Sequence, residues 1–432
     1  VNNHFSKYKK NLQYYKFCSY GFLKNLRFFE PFLILFFLEK NLTFFQIGIL
    51  YTIREISINI LEIPTGMIAD SIGRRRTMVF SFVFYIISFT IFYFSARYML
   101  FITGILFFSF GEAFRTGTHK AMIFEYLKIK GWENQKIHYY GHTRACSQMG
   151  SAISVLLAAA IVFYKDDYKF IFLYSVIPYV LDLILMITYP KELDGNVIKL
   201  NKKMIKQNFK KVFKEFVYSF KNIYLLRAIT NLSLHSGFFK AVKDYLQPIL
   251  KTFAISLPIF LFLENKQRSA VVIGAIYFII YMLTSFASRK SGYIADKFKN
   301  LYIPLNITII CGLLMGLLSG IFFNLNILIL SVIFYIGIYL TENLRKPIGI
   351  SYVADMLNKD ILATALSAES QAKTLFAAII APLIGLLADK YGIGNALMII
   401  SSILIMFFPL YFVKKNKKHK QPLLIKKQTF IN

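Results

Sequence analysis

Glu112 and Arg115 stand three residues apart inside one long apolar run, and Glu342 and Arg345 repeat that spacing inside another. An acid and a base so spaced share a helix face and can pair. The echo continues, because Glu125 follows Glu112 at the offset at which Asp355 follows Glu342. A looser echo sets Arg27 and Glu30, ahead of Pro31, against Lys240, Lys243 and Asp244, ahead of Pro248. Charge inside so apolar a segment is costly and faces a partner or a wet cavity. One chemistry open to these residues is a static ion pair that orients two helices. The other is exchange. Burial favours the neutral acid and a neighbouring cation favours the anion, so a cycle alternating between those surroundings loads and releases a proton. Glu112, Glu342, Glu30 and Asp244 are therefore candidate proton carriers. Arg27, Arg115, Lys240, Lys243 and Arg345 suit an anionic or zwitterionic solute, or else neutralise the acids.

The elements that must position these residues are membrane helices. Of the 432 residues 56% are hydrophobic and 17% charged, against roughly 45–50% apolar and about 25% charged in soluble domains. Apolar runs of about 20 residues recur, long enough to cross a hydrocarbon core of about 30 Å. The fold class expected is an all-α polytopic membrane protein with twelve transmembrane helices in two pseudo-symmetric bundles of six. The first bundle occupies 1–189, with spans near 14–38, 46–70, 77–95, 98–125, 142–164 and 169–189. The second occupies 223–413, with spans near 223–250, 270–295, 301–322, 325–348, 363–388 and 394–413. Between them, 190–222 carries Ile205, Phe209, Val212, Phe213, Phe216, Val217 and Phe220 at helical spacing among lysines. That pattern suits an amphipathic helix on the cytoplasmic membrane surface. Residues 414–432 form a basic tail.

The net charge of +29 would suggest nucleic acid in a soluble chain. Here Lys and Arg cluster between alternate apolar runs and at both ends, which is a positive-inside bias. The expected location is the cell membrane, multi-pass, with both termini cytoplasmic. The expected partners are the lipid bilayer, a small-molecule substrate and protons, with no nucleic acid and a monomeric state. The polar, basic start is not that of a cleavable signal peptide.

Between the second and third apolar runs lies Leu61-Glu62-Ile63-Pro64-Thr65-Gly66-Met67-Ile68-Ala69-Asp70-Ser71-Ile72-Gly73-Arg74-Arg75-Arg76-Thr77, echoed by Ser291-Gly292-Tyr293-Ile294-Ala295-Asp296-Lys297-Phe298-Lys299. This Gly-x-x-x-Asp run resembles the signature loop of the major facilitator superfamily of secondary transporters, in a bacterial branch with the Glu-Ile-Pro-Thr-Gly lead-in. The resemblance implies a central cavity lined by the first, fourth, seventh and tenth helices, where the buried charges of this chain collect. It also implies a gate made by Gly66, Asp70, Gly73, Arg74, Gly292 and Asp296, with Glu125, Arg144 and Asp355 as cytoplasmic partners. Phe298-Lys299 stands where the first copy has Ile72-Gly73, so the second latch is expected to be weaker. Gly385-Leu386-Leu387-Ala388-Asp389 mimics the motif after the eleventh helix, on the opposite face, and is read as a chance likeness.

Other chemistries find no support. Cys18, Cys146 and Cys311 have no metal-site or disulfide spacing. His119, His138, His142 and His235 form no ligand pattern, and no phosphate-binding loop or nucleophile elbow occurs. No cofactor, metal or enzymatic activity is expected. The chain departs from drug/proton antiporters, having Phe107 where those carry Arg and no Pro between Gly141 and Val162. The function expected is proton-coupled movement of a small organic solute by alternating access, with export favoured. Uptake of an organic anion or metabolite is the alternative. A sensor or interaction protein on the same scaffold is the reading from another class.

Overall fold

The computed structural model describes residues 9–195, 223–356 and 359–414. Among these residues the regular structure is helical. The first half runs through α1 (Leu12–Leu23), α2 (Leu33–Glu39), α3 (Phe44–Ile72), α4 (Arg74–Phe94), α5 (Tyr98–Arg115), α6 (Thr118–Ile129), α7 (Lys136–Lys165) and α8 (Phe170–Ile187). The second half runs through α9 (Ile223–Val242), α10 (Leu246–Ser256), α11 (Asn265–Asp296), α12 (Tyr302–Asn324), α13 (Leu328–Met356), α14 (Lys359–Tyr391) and α15 (Ile393–Met406). The amphipathic linker and the basic tail expected from the sequence fall almost wholly outside the described residues.

Among the described residues nine helical segments are long and apolar enough to cross a membrane, against twelve expected spans. The other three expected spans are the first, the seventh and the last. The last, α15, is short, at 14 residues. The first and seventh are broken, each near its proline and its cluster of charge. Pro31 cannot donate to the helical ladder. Beside it the link from Ile34 N to Glu30 O is also open, and it is bridged from the other half: the Gln247 side chain of α10 accepts from Ile34 N at 2.8 Å and donates to Glu30 O at 2.8 Å. One amide thus replaces the lost link between those two backbone groups. At the seventh crossing, Tyr339 Oη donates to Lys243 O at 2.6 Å, and Tyr335 Oη donates to Val242 O. Irregular backbone at membrane depth persists where such partners exist. The tenth crossing continues well past the expected residue 348, to Met356.

The halves meet along α3 with α14 and α7 with α11. Contact is tight at the face opposite the termini, here called the far face. A Cβ on Gly48 would lie 2.4 Å from Ala381 O, and one on Gly385 would lie 2.3 Å from Phe44 O. Glycine alone allows this approach. Thr52 adds a hydrogen bond to Ala378 O at 2.7 Å. Beside it, a Cβ on Gly274 would lie 2.6 Å from that of Ala159, and Lys266 of α11 pairs with Glu39 at 2.8 Å. At the termini face, Cβ atoms added at Gly66, Gly141 and Gly292 would meet nothing within 4 Å among the described residues. The far face is closed and the termini face is open.

Candidate functional site

A cavity of about 190 Å³ lies between the halves, lined by Arg27, Glu30, Arg54, Glu55, Glu112, Lys240, Lys243 and Asp244 together with Phe29, Leu33, Ile58 and Phe108. Each half supplies part of it through the local features described above. Breaking the first crossing at Pro31 turns Arg27 and Glu30 inward, and the break between α9 and α10 does the same for Lys243 and Asp244. Four cations and four carboxylates converge on one small space.

Their pairing is specific. Arg27 reaches Glu30 and Glu112, both at 3.1 Å. Glu112 also accepts from Arg115 on the side away from the cavity and from Tyr85 Oη. Lys243 pairs with Asp244 at 2.6 Å. Glu55, almost wholly buried at 3% exposure, pairs with Arg54 at 3.2 Å and with Lys240. Arg54 and Lys240 belong to opposite halves, so Glu55 ties the halves by charge at the cavity, as the Lys266–Glu39 pair does at the far face. Tyr281 of α11 adds a hydrogen bond to Glu30 at 3.4 Å.

Arg54 and Glu55 were missed by sequence reasoning, which looked for charge on the first, fourth, seventh and tenth spans. The signal was present as two adjacent opposite charges in the middle of an apolar run. Lys240, expected beside Asp244, instead crosses to Glu55.

The second Glu-x-x-Arg set departs from expectation more sharply. Glu342 does not pair with Arg345 and does not line the cavity. Its carboxylate takes His235 Nδ1 at 2.8 Å and the Ser236 hydroxyl at 2.7 Å. Arg345, 1% exposed, donates to Asn231 O at 2.7 Å, Asn231 Oδ1 at 2.6 Å and Leu305 O at 3.2 Å. Spacing made the pair available, but α9 offered each residue a better-placed partner. Arg345 is thus a tie between α9, α12 and α13. Arg345→Met should lower stability by about 3 kcal/mol or more, since it strands several buried acceptors at about 1–3 kcal/mol each. Unfolding of the purified variant checks this, and an unchanged midpoint contradicts the tie.

At the termini face Arg74 pairs with Glu125 at 3.5 Å. Gly73 adopts φ +97°, and a Cβ there would lie 2.6 Å from the carboxyl carbon of Asp194. Asp194 itself accepts from Arg75 N at 2.7 Å, a role the sequence did not suggest. Asp70 and Asp296 are exposed. Arg144 makes no ion pair with Asp70; it lines a separate cleft with Gln148, Arg289 and Asn343. The side chain of Asp355 lies outside the described residues.

Asp389 overturns the reading of its motif as a chance likeness. Its two carboxylate oxygens accept from Phe44 N and Phe45 N, both at 2.8 Å, at the start of α3. Thr43 and Gln46 complete that helix end as a capping box. Orphan N–H groups and the positive end of the helix dipole make this a favourable seat for a carboxylate. His119 stacks on Tyr20 at 3.6 Å and hydrogen-bonds Tyr189 at 3.2 Å, away from the cavity. Among the described residues no three His, Cys, Asp or Glu side chains group as a metal site.

Comparison with known proteins agrees with this fold. The family model described as Major Facilitator Superfamily matches residues 17–368. An uncharacterized MFS-type transporter, YxaM of Bacillus subtilis (strain 168), is 23% identical over 95% of this chain and 98% of its own length. Among solved structures, a point-mutant form of the nucleoside transporter NupG superposes with a TM-score of 0.75 at 13% identity, over 92% of this chain and 99% of that one. A bacterial homologue of the human lysosomal transporter Spinster, inward-facing and unoccupied, gives 0.71 at 13% identity, over 94% and 97%. At these identities the two structures speak for the fold.

Proposed function

The chain belongs to the Major Facilitator Superfamily of transporters and is a multi-pass membrane protein, and from that premise we propose that it moves a small charged organic solute by proton-coupled alternating access. The observation that carries this reading is the cavity, where Arg27, Arg54, Glu30, Glu55 and Glu112 of the first half meet Lys240, Lys243 and Asp244 of the second. Its volume, about 190 Å³, lies below the roughly 300–1,000 Å³ of drug-sized sites, which favours a compact solute. Its balanced charge favours a zwitterion or an anion over an apolar drug. In the cycle, a solute carboxylate replaces Glu55 on Lys240, and Glu55 takes up a proton as it loses that cation. Protonation removes the charge tie at the cavity, and the halves rock apart at the far face as Lys266 leaves Glu39. Export is the proposed direction, on the Glu-Ile-Pro-Thr-Gly resemblance. Uptake of an organic anion is the second reading, favoured by the four cations in the lining.

We place the protein in the cell membrane with the termini face toward the cytoplasm, which makes this conformation inward-open. The basic segments at that face support the assignment. Reporter fusions at Asn265 and at Asn432 should then report opposite compartments, and agreement between them contradicts the topology. Exposed Asp70 fits a latch released in the inward-open state. Asp70→Asn should leave unfolding nearly unchanged yet slow transport at least about tenfold, because it weakens the closed state and not the packing. Wild-type rates in a stable variant contradict the latch.

Substrate binding is the test of the reading itself. A thermal-shift screen of small zwitterions, organic acids and cationic drugs should give hits among the first two classes, since ligand bound to the folded state stabilises it. Those hits should vanish in Lys243→Gln. Hits confined to cationic drugs overturn the proposed substrate class.

A further inference from the structure

One carboxylate plays no part in the cavity, yet it is more deeply buried than any that does. Asp182 of α8 has no exposed surface. Among the described residues neither of its oxygens has a hydrogen-bond partner, and no other buried carboxylate is left so. Buried polar groups in native proteins are nearly always satisfied, and each exception asks for an explanation. An ionised carboxylate stripped of water and of every donor is far costlier than the neutral acid. Inside a membrane helix such a residue is a functional candidate.

Its surroundings contain the means to change its state. The charged groups acting on it are Lys24, just past the end of α1, and Arg115 of α5, and the phenols of Tyr20 of α1 and Tyr189 stand near it. Lys24 has no ion pair with a described residue. Arg115 holds Glu112, and Glu112 lines the cavity and holds Arg27. Arg115 therefore acts electrostatically on Asp182 while it holds Glu112 at the solute site.

We propose that Asp182 is a second proton site, protonated in the conformation with the termini face open, and that its deprotonation draws Arg115 or Lys24 toward it and loosens Glu112 at the cavity. The step needs no other reactant. The O–H bond of the Asp182 carboxyl breaks, the proton leaves to water as the halves rock, and the charge left behind is matched by a cation already present. The inference rests on the proton-coupled reading above. It adds a positioning residue that acts on the cavity through Arg115.

Two measurements test it, and neither needs the solute. In the wild-type protein, dicyclohexylcarbodiimide, which adds across the O–H of a protonated carboxyl in an apolar setting, should label Asp182 at pH 7, as mapped by mass spectrometry. No label at Asp182 overturns the proposal whether or not transport is proton-coupled, so the two ideas fail separately. The second readout is conformation. A single cysteine at Gly141, in a background with Cys18, Cys146 and Cys311 replaced by Ser, reports the open termini face through its rate of maleimide labelling relative to that of the same cysteine in the denatured protein at the same pH, so that the rising thiolate fraction cancels. That rate should fall about fivefold from pH 6 to pH 9 as the lost proton shifts the two-state equilibrium. In Asp182→Asn, a mimic of the protonated acid, the rate should stay at its pH 6 value throughout. An unchanged pH dependence in that variant overturns the proposal. If Asp182→Asn does not fold, Asp182→Glu takes its place. It should restore labelling by the carbodiimide and a pH-dependent rate, and failure of either counts against the proposal.

Discussion

Glu55→Gln should reduce gradient-driven solute accumulation in proteoliposomes by about 100-fold or more, the scale of losing a proton-transferring group. Exchange of solute without a gradient should survive, because it needs no net proton movement. Gln keeps the shape of the side chain but cannot titrate, and it leaves Lys240 without its partner across the halves. Glu112→Gln should act in the same direction through Arg27 and Arg115. Glu342→Gln is the contrast: its carboxylate serves His235 and Ser236 away from the cavity, so coupling should persist. Measuring both fluxes for the three variants separates the sites. Full driven accumulation in Glu55→Gln removes it from the coupling path.

Gly385→Val should all but abolish transport while leaving the protein folded. The branched side chain would have to occupy space 2.3 Å from Phe44 O, and a backbone carbonyl cannot step aside. The far face then cannot close, and Asp389 loses its seat on Phe44 N and Phe45 N. A maleimide-reactive cysteine at Thr52, which meets Ala378 O in the closed state, should be slow to react in the wild type and at least about tenfold faster in this variant, the size of shift a lost closed state produces. Equal rates would mean that the far face opens and closes without this contact.

Much of the fold was legible because its cause is local. Long apolar runs separated by basic loops specify membrane helices whatever they pack against. The cavity was legible in part for the same reason, since Arg27, Glu30, Glu112, Lys240, Lys243 and Asp244 are conspicuous in apolar surroundings. What the sequence did not reveal was choice of partner. Glu342 and Arg345 have the spacing of a pair, yet His235 and the carbonyls of Asn231 and Leu305 lie nearer in space than in sequence. Arg54 and Glu55 had as strong a local signal as any and lay on a span not expected to line the cavity. Asp389 was discounted for its face of the membrane, but the open N–H groups of α3 need an acceptor on either face. The breaks at the first and seventh crossings follow from Pro31 and Pro248 together with distant partners, and only the prolines are visible in the chain.

The most direct test of the account is simultaneous measurement of solute and proton movement in proteoliposomes holding the wild-type protein, with a ligand from the binding screen as the solute and a trapped pH-sensitive dye. The account requires an imposed pH gradient to drive the solute uphill, a solute gradient to drive protons in turn, and both effects to disappear together in Glu55→Gln. Solute that only equilibrates, at a rate indifferent to pH and with no dye response, would contradict it.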